Sequence, residues 1–69
     1  MVMRAGCHLC ADALAGLREL GIEPELLDVD QDERLFDLYD FRIPVLLVDG
    51  KPVIEGRIRQ EDLRRLFAA

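Results

Sequence analysis

The 69-residue chain holds two cysteines, Cys7 and Cys10, both within the stretch Gly-Cys-His-Leu-Cys at residues 6–10. Thiols at this spacing admit three chemistries: metal ligation, a structural disulfide, or two-electron transfer through a dithiol/disulfide couple. A disulfide here closes a very short loop and constrains the unfolded chain little, so it is a poor staple. A tetrahedral zinc site wants four ligands. Cys7, Cys10 and the single histidine, His8, supply three at most. The soft pair also suits Cu(I), or a metal or iron–sulfur cluster shared between two chains. Thiol–disulfide exchange needs only the pair itself, one sulfur to attack a disulfide and one to resolve the mixed disulfide.

For that chemistry the chain must set the pair at the start of a helix. Residues 1–4 are apolar and short, a clipped strand, and Ala5-Gly6 forms a loop. From residue 7 or 8 to residue 20, Cys10, Ala13, Leu14, Leu17 and Leu20 share one helical stripe, and Gly21 supplies the stop. Cys7 then lies at a helix N-terminus, where unpaired N–H groups and the helix dipole favour a thiolate. Cys10, three residues on, lies close to it on the same helix face. His8 as an imidazolium favours the thiolate further, or else points to solvent in the first turn. Arg4 brings a positive charge within reach of Cys7.

The remaining elements follow from periodicity and turn chemistry. Pro24 introduces a strand over residues 25–29. Asp30 is expected to cap a second helix, with Glu33 as its capping-box partner, and that helix is expected to bury Leu35, Leu38 and Tyr39. Residues 43–48 form a near-continuous apolar run, read as a strand covered on both faces. Asp49-Gly50 is a two-residue hairpin turn. Residues 51–54 return as a strand that Pro52 places at the sheet edge. Gly56 breaks the chain. A last helix starts near Gln60, with Leu63, Leu66 and Phe67 inward and Arg59 as a poor N-cap residue. The order is β-α-β-α-β-β-α, with a right-handed parallel first crossover and an antiparallel final hairpin.

The net charge of -5 and pI near 4.6 argue against nucleic-acid and anionic-membrane partners. No apolar run reaches membrane-spanning length, and residues 1–4 lack a signal-peptide core. The expectation is one domain over residues 1–69, cytoplasmic and monomeric, in a compartment where a close cysteine pair is catalytic or metal-binding.

The stretches Arg4-Ala5-Gly6-Cys7-His8-Leu9-Cys10, Leu27-Asp28-Val29-Asp30, Arg42-Ile43-Pro44-Val45-Leu46 and Val48-Asp49-Gly50, with Glu55-Gly56-Arg57, resemble the small glutaredoxin-like proteins of the thioredoxin superfamily. The resemblance implies an α/β thioredoxin-like fold of the glutaredoxin type, with a four-stranded mixed sheet flanked by helices. It implies a thiol–disulfide oxidoreductase with Cys7 as nucleophile and Cys10 as resolving thiol. It further implies a cis bond before Pro44, facing the pair and leaving the Ile43 backbone free for an extended substrate. Arg4, Ile43 and Gly56 match the places that hold glutathione, Arg42 and Arg57 flank them, and His8 adjoins the nucleophile. No resident cofactor is implied, with glutathione as a possible co-substrate. The implied partners are a disulfide-bearing protein or glutathione, and a reductase or glutathione as electron donor. A metal-binding module using the same pair is the alternative, although small metallochaperones place their hairpin directly after the first helix. In thioredoxins a buried carboxylate serves the resolving cysteine. Asp28 and Asp30 lie on a nearby strand, but here Asp30 reads as a helix cap and Asp28 as solvated. The chain departs from the family pattern in its short first strand, in Ala5 where proline is common, in His8-Leu9 between the cysteines, and in the single Gly56.

Overall fold

The computed structural model describes residues 1–68. Its elements are β1 (Val2–Met3), α1 (His8–Glu19), β2 (Leu27–Asp28), a 3₁₀ turn (Val29–Gln31), α2 (Glu33–Tyr39), β3 (Val45–Val48), β4 (Lys51–Glu55) and α3 (Gln60–Leu66). The four strands form one mixed sheet in the order β2-β1-β3-β4. β1 runs parallel to β2 and antiparallel to β3, and β3 and β4 form the hairpin. The expected thioredoxin-like α/β architecture is present. β1 is only two residues long, yet it is central, and Val2 is fully buried against Val29 and Val45.

The sheet separates two apolar clusters. On one face Met1 and Leu46 pack with Ala13 and Leu17 of α1 and Leu63 of α3. On the other, Val2, Val29 and Val45 pack beneath Leu35 and Tyr39 of α2. The alternation of Val45 and Leu46 between these clusters makes the start of β3 a two-sided strand. That cover ends quickly, because Val48 is exposed. Asp49 and Gly50 both take positive φ (53° and 79°), as a primed two-residue hairpin requires. β4 is an edge strand, Pro52 stands opposite Leu47, and the register slips between Leu46 and Leu47. The bulge and the proline both discourage pairing at that edge.

Several expectations are corrected. The second strand covers Leu27–Asp28 rather than residues 25–29. Asp30 does not cap α2. Asp32 does so, accepting from the N–H groups of Arg34 and Leu35. Asp28 caps the 3₁₀ turn by accepting from Asp30 N–H in an exposed hydrogen bond. Two aspartates in succession allow a turn and then a helix, and the 3₁₀ turn shifts the helix start by two residues. Leu38 is 57% exposed, since a seven-residue helix turns only Leu35 and Tyr39 to the core. Ile43 and Pro44 precede β3 rather than belonging to it. In α3 only Leu63 is buried; Leu66 is 40% exposed and Phe67, just past the helix, 38%. The Arg59 N–H at the start of α3 donates to the Asp62 carboxylate, half of a capping box that needs no side-chain oxygen at residue 59.

Candidate active site

Cys7 is the N-cap of α1, extended at φ -88° and ψ 113°. Gly6 before it takes φ 77°, which lets the chain turn from β1 into the helix. The Cys7 carbonyl accepts from Ala11 N–H, and its sulfur accepts from Cys10 N–H at 3.1 Å. The sulfur thus fills the place that a serine or aspartate oxygen fills in ordinary caps. Cys7 and Cys10 form a disulfide, with their Cα atoms 5.2 Å apart. The two sulfurs differ in access: Cys7 is half-buried, whereas Cys10 is 4% exposed. His8 is the first residue of α1 and is exposed.

The sheet brings the proline loop to the same end. Val2 stands opposite Val45 in the antiparallel β1–β3 ladder. Continuing that register sets Pro44 beside Met3 and Ile43 beside Arg4, at the strand end that leads into Cys7. The Ile43–Pro44 bond is cis. Gly56, at φ 73°, donates its N–H to the carbonyls of Pro44 (2.9 Å) and Arg42 (3.3 Å). Arg42, Ile43, Pro44, Gly56 and Arg57 therefore gather around one end of β3 and β4, next to the end of β1. The carbonyl of Arg4 accepts from Cys7 N–H, fixing the loop between β1 and α1.

The three arginines differ. Arg4 holds Asp30 through two hydrogen bonds and Asp40 through a third, and its guanidinium lies 6.0 Å from the Phe36 ring centroid. These bonds hold the Asp30 carboxyl below its ordinary range. Arg42 pairs with Glu55 and lies over the Tyr39 ring at 5.1 Å. Arg57 is exposed and makes no ion pair among the described residues. The sequence did not disclose the Arg4–Asp30–Asp40 cluster, whose members lie 26 and 36 residues from Arg4. Nor did it disclose Phe41, 97% exposed beside Arg42. Among the described residues no charged or polar residue is buried as a whole, so none of them is a buried carboxylate beneath Cys10. No group of three or more His, Cys, Asp or Glu side chains converges on a point there either.

A family profile described as "Glutaredoxin-like domain (DUF836)" matches residues 1–68. The chain belongs to this glutaredoxin-like family. No curated protein and no solved structure matched the chain in the corresponding searches. Membership accords with the geometry: a thioredoxin-like sheet, a Cys-X-X-Cys pair at disulfide distance, and the pair at a helix start. Together these indicate a redox type of function for this glutaredoxin-like protein. No helix is long and apolar enough to cross a membrane, among the described residues.

Proposed function

We propose that this glutaredoxin-like protein is a thiol–disulfide oxidoreductase acting on polypeptide disulfides, with Cys7 as the attacking and Cys10 as the resolving sulfur. The observation that carries the assignment is the asymmetry of the pair. Cys7 is the accessible N-cap of α1 and accepts a hydrogen bond from Cys10 N–H, while Cys10 is buried. In the reduced protein the helix N-terminus and that N–H favour the Cys7 thiolate, and burial keeps Cys10 protonated.

The Cys7 thiolate attacks one sulfur of a substrate disulfide. The substrate S–S bond breaks, a mixed disulfide forms on Cys7, and the leaving thiolate takes a proton from solvent. Cys10 then loses its proton and attacks the Cys7 sulfur, expelling the second substrate thiolate. The substrate gains two electrons and the protein becomes the Cys7–Cys10 disulfide. A thiol donor, glutathione or the dithiol of a reductase, returns two electrons and restores the pair. The reaction needs no resident cofactor.

Polypeptides are favoured over glutathione as substrates because of how the arginines are engaged. Glutathione presents carboxylates, which free guanidinium groups grip well. Arg4 and Arg42 already hold Asp30, Asp40 and Glu55, which leaves Arg57 for an anionic substrate. An extended chain needs backbone partners instead, and Ile43 at the proline loop can supply them by strand addition.

The test is trapping by intact mass. Reduced Cys10→Ser, mixed with a peptide disulfide, should accumulate a peptide adduct on Cys7, whereas Cys7→Ser should accumulate none. Equal adduct yields in the two variants would remove the assigned roles.

A further inference from the structure

A cavity of about 190 Å³ adjoins the disulfide on the side of β2, open to solvent. Met3, Cys7, Cys10, Ala11, Leu14 and Leu26 form most of its wall, which is mainly apolar. The proline loop and Gly56 do not line it, so it is separate from the surface that would pair with a substrate backbone. Arg4 also lines it, but its guanidinium is held by Asp30 and Asp40. No carboxylate lines it, so the cavity is not a proton relay for Cys10. Leu26 at its wall is 41% exposed, so part of its apolar surface is open to solvent.

We infer that this cavity is a specificity pocket for an apolar side chain adjacent to the reactive cysteine of the substrate polypeptide. The inference rests on the exchange reading above and deepens it. Cys7 and Cys10 are part of the wall, so a side chain that fills the cavity lies next to the sulfur that exchanges. Neighbouring residues of a chain have Cα atoms 3.8 Å apart, so the residue beside the substrate cysteine is carried to the opening. An apolar cavity of about 150 Å³ accommodates benzene. A space of about 190 Å³ therefore takes one leucine, methionine or phenylalanine side chain. A carboxylate there meets a mainly apolar wall, an Arg4 already engaged by Asp30 and Asp40, and a chain of net charge -5. Filling such a pocket changes rate by roughly tenfold to a hundredfold.

The test uses the full-length reduced protein and short peptides carrying one cysteine as a mixed disulfide with 2-mercaptoethanol. The peptides differ only in the residues flanking the cysteine, which are leucine, serine or aspartate. Bis(2-hydroxyethyl) disulfide serves as a substrate with no side chain to place. The expected result is a rate constant for the leucine peptide about tenfold or more above the serine peptide, with aspartate slower still. Ala11→Leu fills the cavity from an exposed helix position, and Leu26→Glu puts a charge on its exposed wall. Both variants should bring the leucine/serine ratio close to one, and if Ala11→Leu misfolds, Leu26→Glu decides. Reduction of bis(2-hydroxyethyl) disulfide with equal rates for the three peptides overturns the pocket and leaves the exchange reading standing. So does a leucine preference that survives in the folded variants. No reaction with any disulfide overturns the exchange reading itself.

Discussion

Reduction of Cys7–Cys10 should leave the protein folded and cost it little stability. The bond closes a loop with a sequence separation of 3. In the chain-entropy treatment a loop this short limits the stabilisation to about 2 kcal/mol. Reduction also creates something the oxidised form lacks, a thiolate at the N-cap of α1. The Cys10 N–H, 3.1 Å from the Cys7 sulfur, already points at it. A negative charge at a helix N-terminus returns about 0.3–1 kcal/mol, and up to about 2 in partly buried settings. The two effects oppose each other, so the net change is about 1 kcal/mol, equivalent to a melting shift of about 4–8 °C in a domain of this size. The same quantity offsets the potential of the pair from that of an unstructured Cys-X-X-Cys peptide by on the order of 20 mV. The assay is thermal unfolding followed by circular dichroism, with oxidised protein, reduced protein and Cys10→Ser side by side. Unfolding of the chain on reduction, or a loss above about 4 kcal/mol, would show that the bond is a staple. The bond would then serve stability and not electron transfer.

Other substitutions probe the frame around the pair. Leu63 is fully buried between α1, α3 and the sheet, so Leu63→Ala should lose about 2–5 kcal/mol in denaturant unfolding. An added Cβ at Gly16 would stand 2.6 Å from Gln60 Oε1 and 3.0 Å from Leu63 Cδ1. The Gln60 amide ends a flexible side chain and can swing aside, but Leu63 is fully buried and cannot. Overpacking of about 1–3 kcal/mol against Leu63 then exceeds the helix-propensity gain, and Gly16→Ala should lower the melting temperature. The buried Gln60 Nε2 has no hydrogen-bond partner among the described residues. Gln60→Met should therefore raise stability by about 1 kcal/mol, and a loss of similar size would point to an unseen partner. The folded-state pKa of Asp30 is lowered by its hydrogen bonds to Arg4, so its contribution is present above the unfolded value and lost as pH falls through the folded one. The stability difference between wild type and Asp30→Asn should hold at pH 5 and shrink only below about 3.8, the ordinary value. A difference already shrinking at pH 5 would contradict that pairing.

The fold was legible where local chemistry forces a conformation. Gly21 ended α1, Asp49-Gly50 made the hairpin, and Pro52 marked the edge strand, because each residue restricts the backbone whatever surrounds it. The cysteine pair was legible for the same reason, since three residues of separation and a helix start determine the geometry. The end of the second strand, expected at Val29 and found at Asp28, and the start of α2 were misread because three aspartates, Asp28, Asp30 and Asp32, all have cap chemistry. In the fold Asp28 caps the 3₁₀ turn, Asp32 caps α2 and Asp30 turns to Arg4, which is distant in the sequence. Periodicity also overstated the core. Leu38, Leu66 and Phe67 are as apolar as their neighbours, but helices of seven residues have too little face to bury them all. The cavity beside the cysteines was not legible, because Met3, Leu14 and Leu26 meet only across the β1–α1–β2 crossover. No spacing rule links residues that the fold brings together from three elements.

The most direct test of the central claim is a redox titration of metal-stripped protein against glutathione buffers, with thiols trapped and counted by intact mass. One reversible two-electron transition between dithiol and Cys7–Cys10 disulfide is expected, within the range where glutathione and dithiol reductases operate. A pair that stays reduced across the whole range, or that resists trapping only when metal is added, would contradict it.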